Sequence, residues 1–420
     1  MWGTRDRTAL VLIAAMGIVV AACSSSNKGA APSGGGSGGH ATSSPSCSSP
    51  GFSANSIKVG VIQQTTGNPV VVADFKNVEA AVKARFGVVN ASGGINGRKL
   101  VTTAADDAGD AAQDLNASRQ LVEQDGVFGI VQVSIEPGGG GAYLKAKGVP
   151  VTGWATASDP YATDNNFFGY NGSIPSNPVK QPSSTLEGFI KSKGITTMAY
   201  IGGTDPGSVA VTDGEAEAGR KVGLKVGYVD TNLQFGQKTF TGEIQRMKSA
   251  GVNGVLPEAD PQTNLALIAA AKQAGLNATW FLTTGYDARL LAAASSLVQG
   301  DYFATQFAPY ELNKPATVAM KDAFAKYAPG TPVNEATTIG YLSADLFVKG
   351  LEVSPKCPSR AAYIKALRGV HNYDAGGMIP PVNESTILGK GNPCFYWVKV
   401  VGKQFVPDSP NPYCGKDLKP

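Results

Sequence analysis

From Ile57 onward the chain alternates short apolar runs with amphipathic helical stretches, and that rhythm leaves few folds open to it. The strand-like runs are Ile57–Ile62, Lys99–Ala104, Phe128–Val133, Val149–Thr152, Thr197–Ile201, Lys225–Val229, Gly254–Leu256, Thr279–Leu282 and Tyr302–Thr305. Between them lie stretches of helical period. In Ala73–Val89, for example, Phe75, Val78, Val82, Phe86 and Val89 recur at steps of three and four. Strand and helix in alternation at this spacing predict parallel sheets built from right-handed βαβ units.

The rhythm breaks between Asp159 and Thr185, where four prolines and many turn formers gather, and again at Gln306–Asn313. At 420 residues the chain is too long for one ordinary core, so these breaks read as crossings between two domains. Two long helical stretches and a third from Pro358 follow. After Tyr373-Asp374-Ala375-Gly376-Gly377 an apolar strand, Phe395–Val401, leads into a Pro-rich tail.

The first residues form a targeting segment. Arg5 and Arg7 precede an apolar run, Ala9 to Ala22, that is too short to span a bilayer as a helix. It ends Val20-Ala21-Ala22-Cys23, which resembles a bacterial lipobox and implies a signal peptide over 1–22 with a lipid on Cys23. Residues 23–53 are rich in Ser, Gly, Ala and Pro and predict a flexible tether with a reach of roughly 30 Å. Gly35-Gly36-Ser37-Gly38-Gly39 formally matches a nucleophile elbow, but its low complexity and lack of flanking strand and helix make the match spurious. The remaining cysteines, Cys47, Cys357, Cys394 and Cys414, are even in number, as disulfides in an exported chain require.

The stretch Asn90 to Asp107 is a helix stop, a glycine turn at Asn96-Gly97, a strand, and an acidic pair, Asp106-Asp107, read as a capping and turn feature. Its wording, GGINGRKL followed by DD, resembles the signature of type I solute-binding proteins, the branched-chain amino-acid-binding group that serves ABC importers. The resemblance runs from about Ile57 to Val406 and includes the late YDAGG stretch. It implies an α/β fold of two doubly wound, Rossmann-like lobes joined by a three-stranded hinge. On that plan lobe 1 takes residues 54–171 plus 307–376, and lobe 2 takes 172–306 plus 377–420. A dinucleotide-binding enzyme would want G-x-G-x-x-G after the first strand, where this chain has Gln63-Gln64-Thr65-Thr66-Gly67.

On the same plan Cys47 and Cys357 both fall at the end of lobe 1 far from the cleft, while Cys394 and Cys414 flank the last strand and a turn at Gly402-Lys403. The expected pairing is Cys47–Cys357 with Cys394–Cys414; the rival is Cys357–Cys394 with Cys47–Cys414.

Ligands of open α/β sheets sit beyond the carboxyl ends of the strands. The loops at those ends nominate Gln64, Thr65 and Thr66, then Ser134, whose counterpart in the family meets a ligand carboxylate. Trp154 and Thr156 match positions that hold the carboxylate through a backbone group and a hydroxyl. An indole at 154 either stacks on a flat or apolar ligand or fills the wall. In the second lobe Asp205, Asp260, Tyr286 and Asp287 are the candidates. Amino-acid binders place a glutamate for the ligand ammonium where this chain has Gly285. Either Asp287, Asp260 or Asp205 takes that role, or the ligand has no ammonium.

No metal-ligand cluster and no Ser–His or Cys–His pairing stands out; the two histidines are His40 and His371. The expectation is a non-enzyme without cofactor or metal. Net charge is +4 with both signs mixed along the chain, which argues against a nucleic-acid surface. The resemblance implies a monomer held by its lipid on the extracytoplasmic face of the bacterial cell membrane, handing a small-molecule ligand to an ABC permease. The alternative is a sensor that signals through the same cleft.

Overall fold

The computed structural model describes residues 47–155, 158–175, 177–234 and 236–419, all within the compact unit that begins at Pro45. The signal peptide, Cys23, His40, most of the tether and Thr156 lie outside the described residues.

The first series runs β1 (Ser56–Gln63), α1 (Pro69–Phe75), α2 (Val78–Ala91), β2 (Lys99–Asp106), α3 (Ala111–Arg119), β3 (Gly129–Val133), α4 (Gly141–Ala146), β4 (Val151–Gly153), α5 (Asp159–Thr163) and β5 (Phe167–Gly169). The second runs α6 (Glu187–Ser192), β6 (Thr197–Gly203), α7 (Pro206–Val222), β7 (Lys225–Leu233), α8 (Thr241–Ser249), β8 (Gly254–Glu258), α9 (Pro261–Gln273), β9 (Thr279–Leu282), α10 (Ala288–Ala294) and β10 (Tyr302–Thr305). Three helices follow, α11 (Pro315–Tyr327), α12 (Glu335–Glu352) and α13 (Arg360–Arg368). The chain closes with β11 (Cys394–Val401), β12 (Gln404–Pro407) and β13 (Tyr413–Cys414).

The strands form two sheets. The first has the order β2-β1-β3-β4-β5 and is parallel throughout. The second has the order β12-β11-β10-β9-β8-β6-β7, parallel from β7 to β10 and antiparallel where β11 and β12 join. Parallel strands covered on both faces read as continuous apolar runs, and β3 and β6 are buried at every position. α11 and α12 return to the first series, where α12 packs on α2, β3 and β4. The chain therefore passes between the two sheets three times, after β5, after β10 and before β11.

Those crossings are bonded to one another. Gly172 bridges Gly391, the Ser173 N–H donates to the Lys390 carbonyl at 2.8 Å, and the Ala308 N–H donates to the Met378 carbonyl at 2.6 Å. A cavity of about 40 Å³ lies here, lined by Tyr170, Gln306, Asn392 and Phe395 among others.

Three sequence expectations need correction. The stretch expected as one helix over Ala73–Val89 is two, because Asn68 caps α1 ahead of Pro69 and the chain breaks at Lys76-Asn77 before α2. The expected strand Val149–Thr152 starts later, at Val151. The irregular stretch from Asp159 also contains α5 and β5, and β5 is the edge of the first sheet, so the crossing begins only at Tyr170. Phe167 and Phe168 are buried there, in a run of three strand residues too short to show a period.

Cys47 is bonded to Cys357 with Cα atoms 5.3 Å apart, and Cys394 to Cys414 with Cα atoms 4.0 Å apart. The first bond lies near the amino ends of β1 and β3, where the Ser49 hydroxyl donates to the Pro358 carbonyl. The second joins directly opposed residues of β11 and β13.

Candidate functional site

The loops after β1, β2, β3 and β4 face those after β6, β8 and β9. Glu136 and Asp205 repel one another across that gap, as do Asp74 and Asp260. On the first wall the loop after β1 is fixed from within. Gln64 is buried, and its side-chain amide donates to the carbonyls of Thr66 and Ala108. Asp106 accepts from the Thr65 and Thr66 N–H groups, the Thr66 hydroxyl and the Ala108 N–H. Against the opposing effect of burial, those donors hold the Asp106 carboxyl below its usual range. Asp106 is thus the knot of the β1 and β2 loops.

Ser134 is fully buried; its hydroxyl accepts the Glu136 N–H and lies against the Asp107 carboxyl. Burial pushes Asp107 up and the Ser134 hydroxyl offsets part of that rise. The Gly140 N–H ahead of α4 donates to Asp114. The Trp154 N–H donates to the Gln132 carbonyl at 3.1 Å, and its half-buried ring stacks on Phe75 at 5.8 Å between centroids.

On the second wall the three candidate aspartates share one local role. Asp205 caps α7 through the Ser208 N–H, Asp260 caps α9 through the Gln262 and Thr263 N–H groups, and Asp287 caps α10 through the Arg289 N–H. Each stands at a strand end just before a helix, where a carboxylate meets otherwise unpaired donors and the positive end of the helix dipole. Asp287 also forms an ion pair with Arg289 at 2.6 Å. Tyr286 is 1% exposed; it stacks on Tyr310, accepts the Tyr310 N–H and donates to Glu311. Its place is under the second crossing, facing away from the gap between the walls.

Carboxyls without a capping role include Asp74 in α1, Glu335 at the first position of α12, Glu258 at the end of β8, and Glu136 after β3, which burial and then Asp205 raise. Glu335 accepts the Gly285 N–H at 3.1 Å, so a carboxylate from the first wall reaches the loop where the sequence offers glycine. Burial pushes Glu335 up to about 8, with the Gly285 and Tyr286 N–H groups opposing and Asp74 and Glu258 adding to it. Asp74 is raised to about 7 by burial, then Asp260 and Asp287, with Arg289 opposing. Asp74 and Glu335 were invisible to strand-end reasoning, because both sit on helices that only tertiary packing brings to the gap. Glu258 closes β8 and was in view only as part of a loop. Among the described residues no group of three or more His, Cys, Asp or Glu could hold a metal ion, and no helix is long and apolar enough to cross a membrane.

A family model described as periplasmic binding protein matches residues 56–404. The Leu/Ile/Val-binding protein homolog 3 of Brucella melitensis biotype 1 is 27% identical over 321 residues, 74% of this chain and 83% of that protein. Among solved structures, the fatty acid ABC transporter substrate-binding protein from Thermomonospora curvata aligns with a TM-score of 0.69 and 19% identity, over 88% of this chain and 93% of its own. A branched chain amino acid ABC transporter from Thermus thermophilus with bound valine gives the same TM-score and identity, over 87% and 97%.

Proposed function

This chain belongs to the type I periplasmic binding proteins of the branched-chain amino-acid family, and from that premise we propose that it captures a small polar or amphipathic solute between its two walls and delivers it to an ABC importer. The observation that carries the reading is that the parallel strands of two sheets turn their carboxyl-end loops toward one gap and the sheets are joined by three crossings. Such a hinge lets one lobe, residues 54–171 plus 307–376, close on the other, residues 172–306 plus 377–420. Contacts made to both lobes supply the closing free energy. Thr65, Thr66 and Trp154 on one wall, with Asp205, Asp260 and Asp287 on the other, form the candidate surface; Gln64 and Ser134 lie buried beneath it, Tyr286 supports it from behind, and Thr156 is a candidate by resemblance alone.

Amino acids, amides and related carboxylates are the first solutes to screen. A ligand at a hundred times its dissociation constant stabilises the protein by about 2.7 kcal/mol, which thermal melting detects. Small-angle scattering of the same sample should show a smaller radius of gyration. Stabilisation without compaction would overturn the closure mechanism. For anchoring, Cys23→Ser is expected to move the protein from the membrane fraction to the soluble one, because a lipid and not the short apolar run holds it. Unchanged partitioning of the variant would show another anchor.

A further inference from the structure

The gap gathers more carboxyl groups than the cations around it can pair. Asp205, Asp260 and Asp287 are held by helix N-termini, and Arg289 is already engaged by Asp287. Asp74 makes no hydrogen bond or ion pair among the described residues, and the charges that act on it are Asp260, Asp287 and Arg289. Glu335 meets only backbone N–H donors, and Asp74 and Glu258 bear on it with like charge.

The charge continues behind Glu258. Glu258 accepts the Thr283 hydroxyl, and Glu187 and Glu215 stand next to it within the second series. Glu187 is 2% exposed and its Oε1 has no partner, while the Glu215 carboxyl is hydrogen-bonded to that of Glu258. The Tyr200 hydroxyl, also buried and unpartnered, lies among the same carboxyls, raised by burial and by both Glu187 and Glu215. An unpaired buried acceptor leaves its desolvation cost unrecovered, and like charges brought together add to that cost. A solute carboxylate placed here would find carboxyls on both walls and, in Arg289, a cation already engaged by Asp287. A cation would meet the opposite, with the Trp154 face, stacked on the residue next to Asp74, as an added partner.

We propose that the gap binds an organic cation, an amine or alkylammonium solute without a free carboxylate, its charge set against Asp74 and Glu335 on one wall and Glu258 on the other. This rests on the solute-binding reading above and narrows its chemistry. Binding also moves protons. Asp74 and Glu335 hold theirs near neutral pH, because burial and their neighbours raise them to about 7 and about 8. A bound cation favours the ionised carboxylates, so protons leave as it enters.

The test is a melting screen of the soluble domain against L-leucine, 3-methylbutylamine, 4-methylpentanoate, 1,4-diaminobutane and a panel of primary amines and tetraalkylammonium salts. The expected result is stabilisation by one or more amines and none by 4-methylpentanoate. Calorimetry of the strongest amine at pH 7, in two buffers of different ionisation enthalpy, should show net proton release. Glu335→Gln and Glu258→Gln mimic the protonated side chains and should keep the melting temperature while weakening that amine roughly thirtyfold or more. If a variant fails to fold, proton release by the wild-type protein still decides the matter. Stabilisation by leucine or 4-methylpentanoate, with affinity unchanged in both variants, would sink the cation and leave the solute-binding reading standing. Failure of every amine to stabilise, or binding without proton release, also overturns the proposal.

Discussion

The Tyr170 hydroxyl donates to Gln306 Oε1 at 2.9 Å, joining the first crossing to the second across 136 positions of sequence. The phenol is buried, so its proton has no exchange with bulk water to fall back on. Tyr170→Phe leaves the Gln306 oxygen unpaired in the hinge and is expected to destabilise the domain by about 1–3 kcal/mol. Denaturant unfolding measures it, and a loss below a few tenths would show that the hinge does not depend on this bond.

Ligand-free stability should fall as pH rises. A carboxyl whose folded pKa exceeds its unfolded value favours the fold fully below the unfolded pKa and loses that contribution as pH climbs through the folded one. Asp74 and Glu335 start from 3.8 and 4.5 and are raised to about 7 and about 8, so the loss spans roughly pH 4 to 8. Melting temperatures across that range should decline, and Glu335→Gln should flatten the slope. A flat profile for the wild type would contradict the burial of these groups.

Trp154 offers a direct optical readout. Trp280 and Trp397 are 0% exposed and Trp2 lies outside the described residues, so Trp154 is the partly exposed indole among the described residues. Solute entering the gap should change tryptophan emission, and Trp154→Phe should abolish the change. A signal that persists in the variant would place the solute elsewhere.

α2 and α11 approach closely at Gly87, where an added Cβ would lie 2.4 Å from the Tyr327 ring. Gly87→Ala forces the ring or the helices apart and is expected to cost about 1–3 kcal/mol despite alanine's better helix propensity. Thermal unfolding checks the sign; stabilisation would mean that the Tyr327 ring swings away freely.

What the sequence disclosed and what it hid divide along physical lines. Buried parallel strands are apolar runs, so β1, β3, β6 and β9 could be read directly, and the wording around Asn96-Gly97 pointed to the family. Asp205, Asp260 and Asp287 show why the site was harder. An aspartate at a strand end before a helix is the same signal whether it awaits a ligand or caps the helix. Pro206 and Pro261, each at the first helical position, were the mark of a cap. Gly285 was legible as a missing carboxylate, but Glu335, fifty residues later on α12, supplies one through a contact that no local pattern encodes.

The Cys47–Cys357 bond has a mechanical consequence. It stands where the folded domain begins, beside the amino ends of β1 and β3 and at the far end from the gap. A load applied at Cys47 is therefore shared with the segment between α12 and α13, and α12 packs on β3 and β4. That load stays with the first sheet and its helices and bypasses the three crossings.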